Sequence, residues 1–228
     1  MNECSELYVK PTSGSIGNGI IKIKKKSSGN WTIYWKKEKH LQKSLRKTFA
    51  FIEQKVGPQN YLIQEAIPLA TYHGRPYDLR VSVQRGRTGE WQISGMVGKV
   101  AAAGRHVTNV AKGGKVKRGE KLFRHSGLSV ESMKKEVNRA SLEIANYLGD
   151  QLPHLADIGL DMGVTRNGSV KFIEMNGRDQ RITFKKAGMR STFFDTYLTP
   201  IQYAVFLMKS NRKLNSRWGR GKTKKTRV

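Results

Sequence analysis

At 228 residues, with 37% hydrophobic and 9% aromatic side chains, the chain has material for one or two packed domains, which excludes a disordered polymer. Its 43 Lys+Arg against 17 Asp+Glu give a formal charge of +26 and select anionic partners: nucleic acid, an acidic surface or a multiply charged substrate. Cys4 alone excludes an internal disulfide or a cysteine-based zinc site, and the five histidines lack ligand spacing. No apolar run approaches the roughly 20 residues of a membrane span, and MNECSELYVK has no signal core, so the reading is a cytoplasmic protein without a membrane span.

In chain order, a short strand ends at Lys10-Pro11, because the residue before proline is pushed toward extended geometry. A glycine-bearing turn covers 12–19. IIKIKKK and NWTIYWKK flank Ser27-Ser28-Gly29 and predict a hairpin with a cationic outer face. From about Glu38 to Val56, Leu41, Leu45, Phe49 and Ile52 recur at helical spacing, and Gly57-Pro58 ends that helix. YLIQEAIPL, LRVSVQ and WQISGMVGKVAA read as strands, the last two joined across Arg87-Thr88-Gly89. Residues 102–127, rich in glycine and cations, read as a long functional loop. Ser129 caps a helix to about Leu152, with Val130, Met133, Val137, Ile144 and Leu148 inward. ADIGLDMGVT and SVKFIEMN form a hairpin around Arg166-Asn167-Gly168, and a last helix covers about 193–210. The tail 209–228 is basic, nearly without apolar residues, and reads as disordered. The fold class is α+β with mostly antiparallel strands, not alternating βαβ.

Two constellations carry chemistry. The turn from Gly14 to Gly19 is not a Walker A loop, because Ile20-Ile21 stands where Lys-Ser/Thr is needed. It is not a dinucleotide fingerprint, because it enters a strand. A glycine-rich flap between strands lets backbone N–H groups approach phosphate oxygens, with Lys10 adding a point charge. A hairpin without ligand is the alternative. In the C-terminal hairpin, Glu174 and Asn176 lie two apart in a strand and share a face, and Asp161 on the partner strand can point into the same space. Two carboxylates and an amide oxygen are hard donors suited to Mg²⁺ or Mn²⁺ that keeps other positions for waters and phosphates. The alternative is acids that neutralise Arg178 and Arg181.

In their order, YVKPTSGSIGNGI, YLIQEAI, YDLRVSV, TNVAKGG and the D-x12-E-x-N spacing of LDMGVTRNGSVKFIEMN resemble the ATP-grasp superfamily over roughly residues 8–180. The nearest likeness is to YheC/YheD-type, endospore coat-associated proteins, with RimK-like ligases next. The resemblance implies ATP held between two lobes: a truncated N-terminal lobe at 1–68 and a C-terminal lobe with the metal site at 69–208. It implies Lys10, Ser13, Gly14, Ser15, Gly17 and Gly19 around the triphosphate, and Gln64, Glu65 and the backbone near Ile67 around adenine. Arg80 and Asn109 become the catalytic groups at phosphate, with Gly113-Gly114 shaping the second loop, while Asp161, Glu174 and Asn176 hold Mg²⁺ or Mn²⁺. The implied activity is ATP-dependent carboxylate–amine ligation through an acyl-phosphate with release of ADP. No side chain need act as nucleophile, which fits a chain without a Ser-His-Asp or Cys-His set.

The sequence departs from the family pattern in three places. Only residues 1–7 precede Tyr8, where the family carries a further subdomain with another ATP-contacting lysine. A naturally short protein, a fragment, or a homodimer or partner chain that completes the lobe are the readings left open. Lys99 stands where relatives tend to carry arginine, and GRDQRITF follows in place of asparagine, small residue, proline, glycine. From a different functional class comes a weakly ATP-binding or non-catalytic, spore-coat-associated polyanion binder on the same scaffold. It would use the KKK and YWKK hairpin, with Trp31, Tyr34 and Trp35 stacking, and the basic tail. A ligase whose acceptor is an acidic peptide or a nucleic-acid-bound protein joins the two readings.

Overall fold

The computed structural model describes residues 5–12, 19–36, 38–105 and 108–219, without the side chains of residues 112 and 212–219. The chain divides into two units, Met1–Pro68 and Leu69–Val228, each with its own sheet. All strand pairs in both sheets are antiparallel, so the α+β expectation holds.

The first unit is a five-stranded sheet of order β4-β3-β2-β1-β5. Its strands are β1 (Glu6–Pro11), β2 (Ile21–Lys25), β3 (Trp31–Trp35), β4 (Glu38–Gln42) and β5 (Tyr61–Glu65), and its helix is α1 (Leu45–Val56). Alternation along each strand sorts the side chains. Val9, Ile21, Ile23, Trp31 and Ile33 are buried together, and Phe51, Ile52 and Val56 of α1 pack against them. Each such buried side chain stabilises by roughly 1.5–3 kcal/mol.

The helix expected from Glu38 begins only at Leu45, where Ser44 caps it by accepting from the Lys47 amide at 3.3 Å. Glu38–Gln42 is strand because it pairs with β3, from Trp35↔Glu38 to Trp31↔Gln42. Of the expected apolar stripe only Ile52 packs inward; Leu41, Leu45 and Phe49 are exposed, and α1 turns Thr48, Phe51 and Val56 toward the sheet beside Ile52.

The second unit holds a sheet of order β11-β10-β7-β8-β9, with β6 paired to one end of β7. Its strands are β6 (Thr71–Tyr72), β7 (Arg75–Arg85), β8 (Trp91–Val100), β9 (Lys115–Lys117), β10 (Asp157–Val164) and β11 (Val170–Asn176). Its helices are α2 (Gly119–His125), α3 (Val130–Gln151), α4 (Ile182–Lys186) and α5 (Arg190–Gly219). Strand β7 has two characters. Tyr77, Leu79, Val81 and Val83 enter a core with Ile158, Leu160 and Met162 of β10 and Met133 and Val137 of α3. The intervening Asp78, Arg80, Ser82 and Gln84 line the other face, buried although polar.

The loop expected at 102–127 contains a 3₁₀ turn at Val110–Lys112, β9 and α2. Leu122 and Phe123 fold α2 onto the core, and the glycines and cations around them masked that signal. Ser129 caps α3 by accepting from the Ser132 amide at 3.4 Å, and Val130, Ile144 and Leu148 pack against the core beside Met133 and Val137.

The last helix extends well past its expected end. Residues 209–219, read from sequence as disordered tail, continue α5 to Gly219, because adding residues to a formed helix is far easier than starting one. Residues 220–228 lie outside the described residues. Pro200, inside α5, has no N–H for the Thr196 carbonyl four residues back. Gln84 Nε2 donates to that oxygen at 2.9 Å in its place, which ties α5 to the polar face of the sheet. Among the described residues no helix is long and apolar enough to cross a membrane.

Candidate functional site

In the first unit, the face turned away from α1 carries a ladder. Gln64, Tyr8, Lys22, Tyr34 and Lys39 are successive register partners across β5, β1, β2, β3 and β4. Lys10, two residues beyond Tyr8, shares this face and donates to Gln64 Oε1, so two predicted nucleotide contacts are brought together. Glu6 pairs with Lys22 at 2.8 Å and Lys24 at 2.5 Å. Burial, helped by the Glu6 charge, pushes the Tyr8 phenol up to about 12. Glu65 is exposed and falls on the opposite face, in register with Leu7; Ile67 follows the strand and is half-buried. Gly19 has φ 76°, a conformation glycine adopts without strain, and a Cβ there would approach Tyr61 Oη to 3.1 Å. Ser13, Gly14, Ser15 and Gly17 lie outside the described residues. Trp31, expected to stack on a ligand, is buried in the core and packs beneath Lys25 instead.

In the second unit, Arg80, Asp161 and Glu174 are register partners across β7, β10 and β11, so all three share the polar face. A bulge at Asp161/Met162 keeps Glu174 in step with Asp161, and Asn176 stands opposite Gly159 on the same side. Asp161 is buried and its carboxylate is gripped twice. Arg80 donates from Nε at 2.7 Å and Nη2 at 3.3 Å, and Lys99 Nζ lies 2.8 Å away. Arg80 Nη1 also donates to Asp179 at 3.2 Å, and Asp179 accepts from Ser82. Lys99 reaches Asp78 at 3.4 Å, and Thr108 donates to the other Asp78 oxygen.

Three carboxylates thus face two cations, an excess of one negative charge. Burial raises the Asp78 carboxyl to about 6, although Lys99 pulls it down. Burial would also raise Asp161, but Lys99 and Arg80 outweigh it and hold that carboxyl below its ordinary range. Burial alone would lower Lys99 and Arg80; the aspartates win, and both stay charged.

Arginine neutralisation is therefore present, through other partners than Arg178 and Arg181: Asp161 pairs with Arg80 and Lys99, while Arg181 pairs with Asp157. Asn109 caps the 3₁₀ turn, its Oδ1 accepting from the Ala111 amide at 2.8 Å. Gly114 packs against that cap so closely that a Cβ would lie 2.8 Å from the Asn109 carbonyl oxygen. Glu174 is exposed, and Asn176 donates to the Gly159 carbonyl at 3.4 Å, which leaves its amide oxygen as an acceptor. Among the described residues no three acidic, histidine or cysteine side chains converge as a metal cage. Glu174 and Asn176 nonetheless offer hard oxygens on the face of Asp161, whose own carboxylate is held by the Lys99 ammonium at 2.8 Å. The donor set fits a hard divalent ion.

Sequence reasoning passed over Asp78, Thr108 and Asp179. The strict alternation of Asp78, Arg80, Ser82 and Gln84 with Leu79, Val81 and Val83 was the available signal for Asp78. Thr108 and Asp179 join only through loops that fold back onto the sheet.

Comparison with known proteins agrees with this architecture. A protein named endospore coat-associated protein YheD, from Bacillus subtilis (strain 168), is 27% identical over 215 residues, which are 89% of this chain and 46% of that protein. The chain therefore spans about half the length of that relative. The crystal structure of D-cycloserine synthetase DcsG superposes with a TM-score of 0.52 at 13% identity, covering 88% of this chain and 57% of that one, which shows a shared fold. The family model described as YheC/D like ATP-grasp matches residues 1–207, nearly all of both units. With two antiparallel sheets, Lys10 beside Gln64 in the first and an acidic hairpin in the second, the chain belongs to the YheC/D-like ATP-grasp family.

Proposed function

We propose that the chain is an ATP-dependent carboxylate–amine ligase that works through an acyl-phosphate and releases ADP. The observation that carries this reading is the alignment of Arg80, Asp161 and Glu174 on one sheet face with Lys99 beside them. Phosphoryl transfer needs positioning and charge neutralisation more than covalent help, and such a face supplies fixed charges of both signs.

In this reading Lys10 and the turn of Ser13, Gly14, Ser15, Gly17 and Gly19 grip the triphosphate. Gln64, Glu65 and the backbone at Ile67 hold adenine. Arg80, anchored by Asp161 and Asp179, presents a rigid guanidinium to phosphate, and Asn109 holds its loop near the transferred group. Asp161, Glu174 and Asn176 hold Mg²⁺ or Mn²⁺, with Lys99 giving way at Asp161. Such an ion, when bound, screens the repulsion between a substrate carboxylate and the triphosphate. The carboxylate oxygen bonds to the γ-phosphorus as the bond to ADP breaks. An amine then bonds to the acyl carbon, loses a proton, and phosphate leaves.

The test is nucleotide binding followed by melting and calorimetry. ATP with Mg²⁺ at millimolar concentration raises Tm by several degrees, and Glu174→Ala abolishes the rise while preserving the unliganded Tm. Absence of any shift removes the ligase reading.

The tyrosine–lysine ladder of the first sheet favours a second reading, binding of a polyanion across that face. Binding of a single-stranded oligonucleotide that weakens steeply with salt supports it, with a slope reduced by Lys22→Gln and Lys39→Gln; a slope the variants leave unchanged removes it.

A further inference from the structure

Helix α5 presents two faces of opposite expectation. Thr196 and Thr199 are buried toward the sheet, and Phe206 covers Gly89. The outward side carries Phe194, Leu198, Ile201, Val205 and Met208, all exposed, with Phe194 at 67%, Ile201 at 62% and Met208 at 59%. Their spacing alternates between four and three residues throughout, the 3.5-residue period by which one helix packs along another. Between Phe194 and Met208, Asp195 is the only charged residue, on a chain of formal charge +26. Taking about 200 Å² for a large side chain, these five with Tyr197 leave roughly 650 Å² of apolar surface in water, close to the roughly 800 Å² each partner gives to a standard interface. A patch of that size on a soluble surface marks an interaction site.

We propose that this face pairs with the same face of a second copy of the chain, antiparallel, about a two-fold axis at Ile201. The charges decide both occupant and direction. About that axis Phe194 meets the partner's Met208, and Asp195 comes within about two helical residues, roughly 3 Å along the axis, of lying opposite the partner's Lys209, an offset the two side chains can span. Two-fold symmetry makes that pairing twice. Asp195 and Lys209 occupy equivalent heptad positions beside the seam, fourteen residues apart, so one surface supplies both halves of each ion pair. A parallel pair would instead set Lys209 and the basic residues after it beside their own copies at roughly 10 Å. Antiparallel pairing separates Arg212 from its twin by roughly 30 Å along the axis, several times the roughly 8 Å screening length. The repulsion of a very basic chain thus opposes one arrangement and spares the other.

Sedimentation equilibrium of the full chain between about 1 and 100 μM at physiological salt tests this. The wild-type protein is expected as a dimer, and Ile201→Glu as a monomer with an unchanged circular dichroism spectrum. Asp195→Lys is expected to weaken association at least tenfold, about 1.4 kcal/mol, and Asp195→Lys with Lys209→Asp to restore it. A wild-type chain that stays monomeric at 100 μM overturns the proposal, as does a dimer that Ile201→Glu leaves intact. Failure of the double variant to recover overturns the antiparallel arrangement.

Discussion

Lys99 Nζ stands 2.8 Å from Asp161 Oδ2 and 3.4 Å from Asp78 Oδ1, one ammonium between two buried carboxylates. This lysine links the strand that carries the candidate metal ligand to the loop that carries Asn109, because Asp78 in turn accepts from Thr108. Lys99→Met leaves two carboxylates short of a partner, and removing one side of a buried pair costs about 3–5 kcal/mol. Urea denaturation should show a loss of that order at pH 8 and a smaller one at pH 4.5, where Asp78 is protonated. Equal losses at both pH values would show that Asp78 stays charged.

Asp78 gives the fold a pH dependence of unusual sign. Its folded value of about 6 lies above the ordinary aspartate value near 4, so the native state keeps a proton that the unfolded state has lost. Its contribution is fully present below pH 4 and is lost as pH rises to about 6, at up to roughly 1.4 kcal/mol per pH unit. Asp161, held low, acts oppositely and loses its contribution only as pH falls below the ordinary range. Asp78→Asn should abolish the decline in stability between pH 4 and 6 and leave the acid limb in place. Melting temperatures across that window decide it.

Gln84 and Pro200 form a compensated pair across the sheet–helix boundary. Gln84→Leu strands the Thr196 carbonyl inside the protein, and an unsatisfied buried acceptor costs about 1–3 kcal/mol. In the double variant with Pro200→Ala, the alanine N–H can reach that carbonyl again and recover part of the loss. A double-mutant cycle in urea measures the coupling, and simple additivity would disprove it.

Lys10 and Gln64 touch in the first unit, on the face of the tyrosine–lysine ladder. If this face receives nucleotide, Lys10→Ala should weaken ATP·Mg²⁺ binding about tenfold or more, the scale of one charge-assisted hydrogen bond. Isothermal titration calorimetry reads this directly, and unchanged affinity would remove Lys10 from the site.

Much of the fold was legible in the sequence wherever one residue type met one demand. Ser129 announced α3 because a hydroxyl satisfies an otherwise unpaired helical N–H. Arg166-Asn167-Gly168 announced the β10–β11 hairpin, Gly168 taking φ 84°. Leu41, Leu45 and Phe49 misled, because helical spacing in the chain could not reveal that Glu38–Gln42 finds a strand partner in β3. The acidic hairpin was visible as a spacing, but the neighbours of Asp161 were not.

The sequence by itself determined what is local and periodic: the α+β pattern, the Ser129 cap of α3, the β10–β11 hairpin and the Glu174-x-Asn176 alternation. Only the tertiary structure decided which charges meet. Arg80, Lys99, Asp161 and Asp179 come from four separate segments, and Gln84 answers a carbonyl more than a hundred residues away. Local periodicity is fixed by backbone geometry within a few residues. Coulombic partners and burial depend on which strands lie side by side, and that order is set by the packing of the whole sheet.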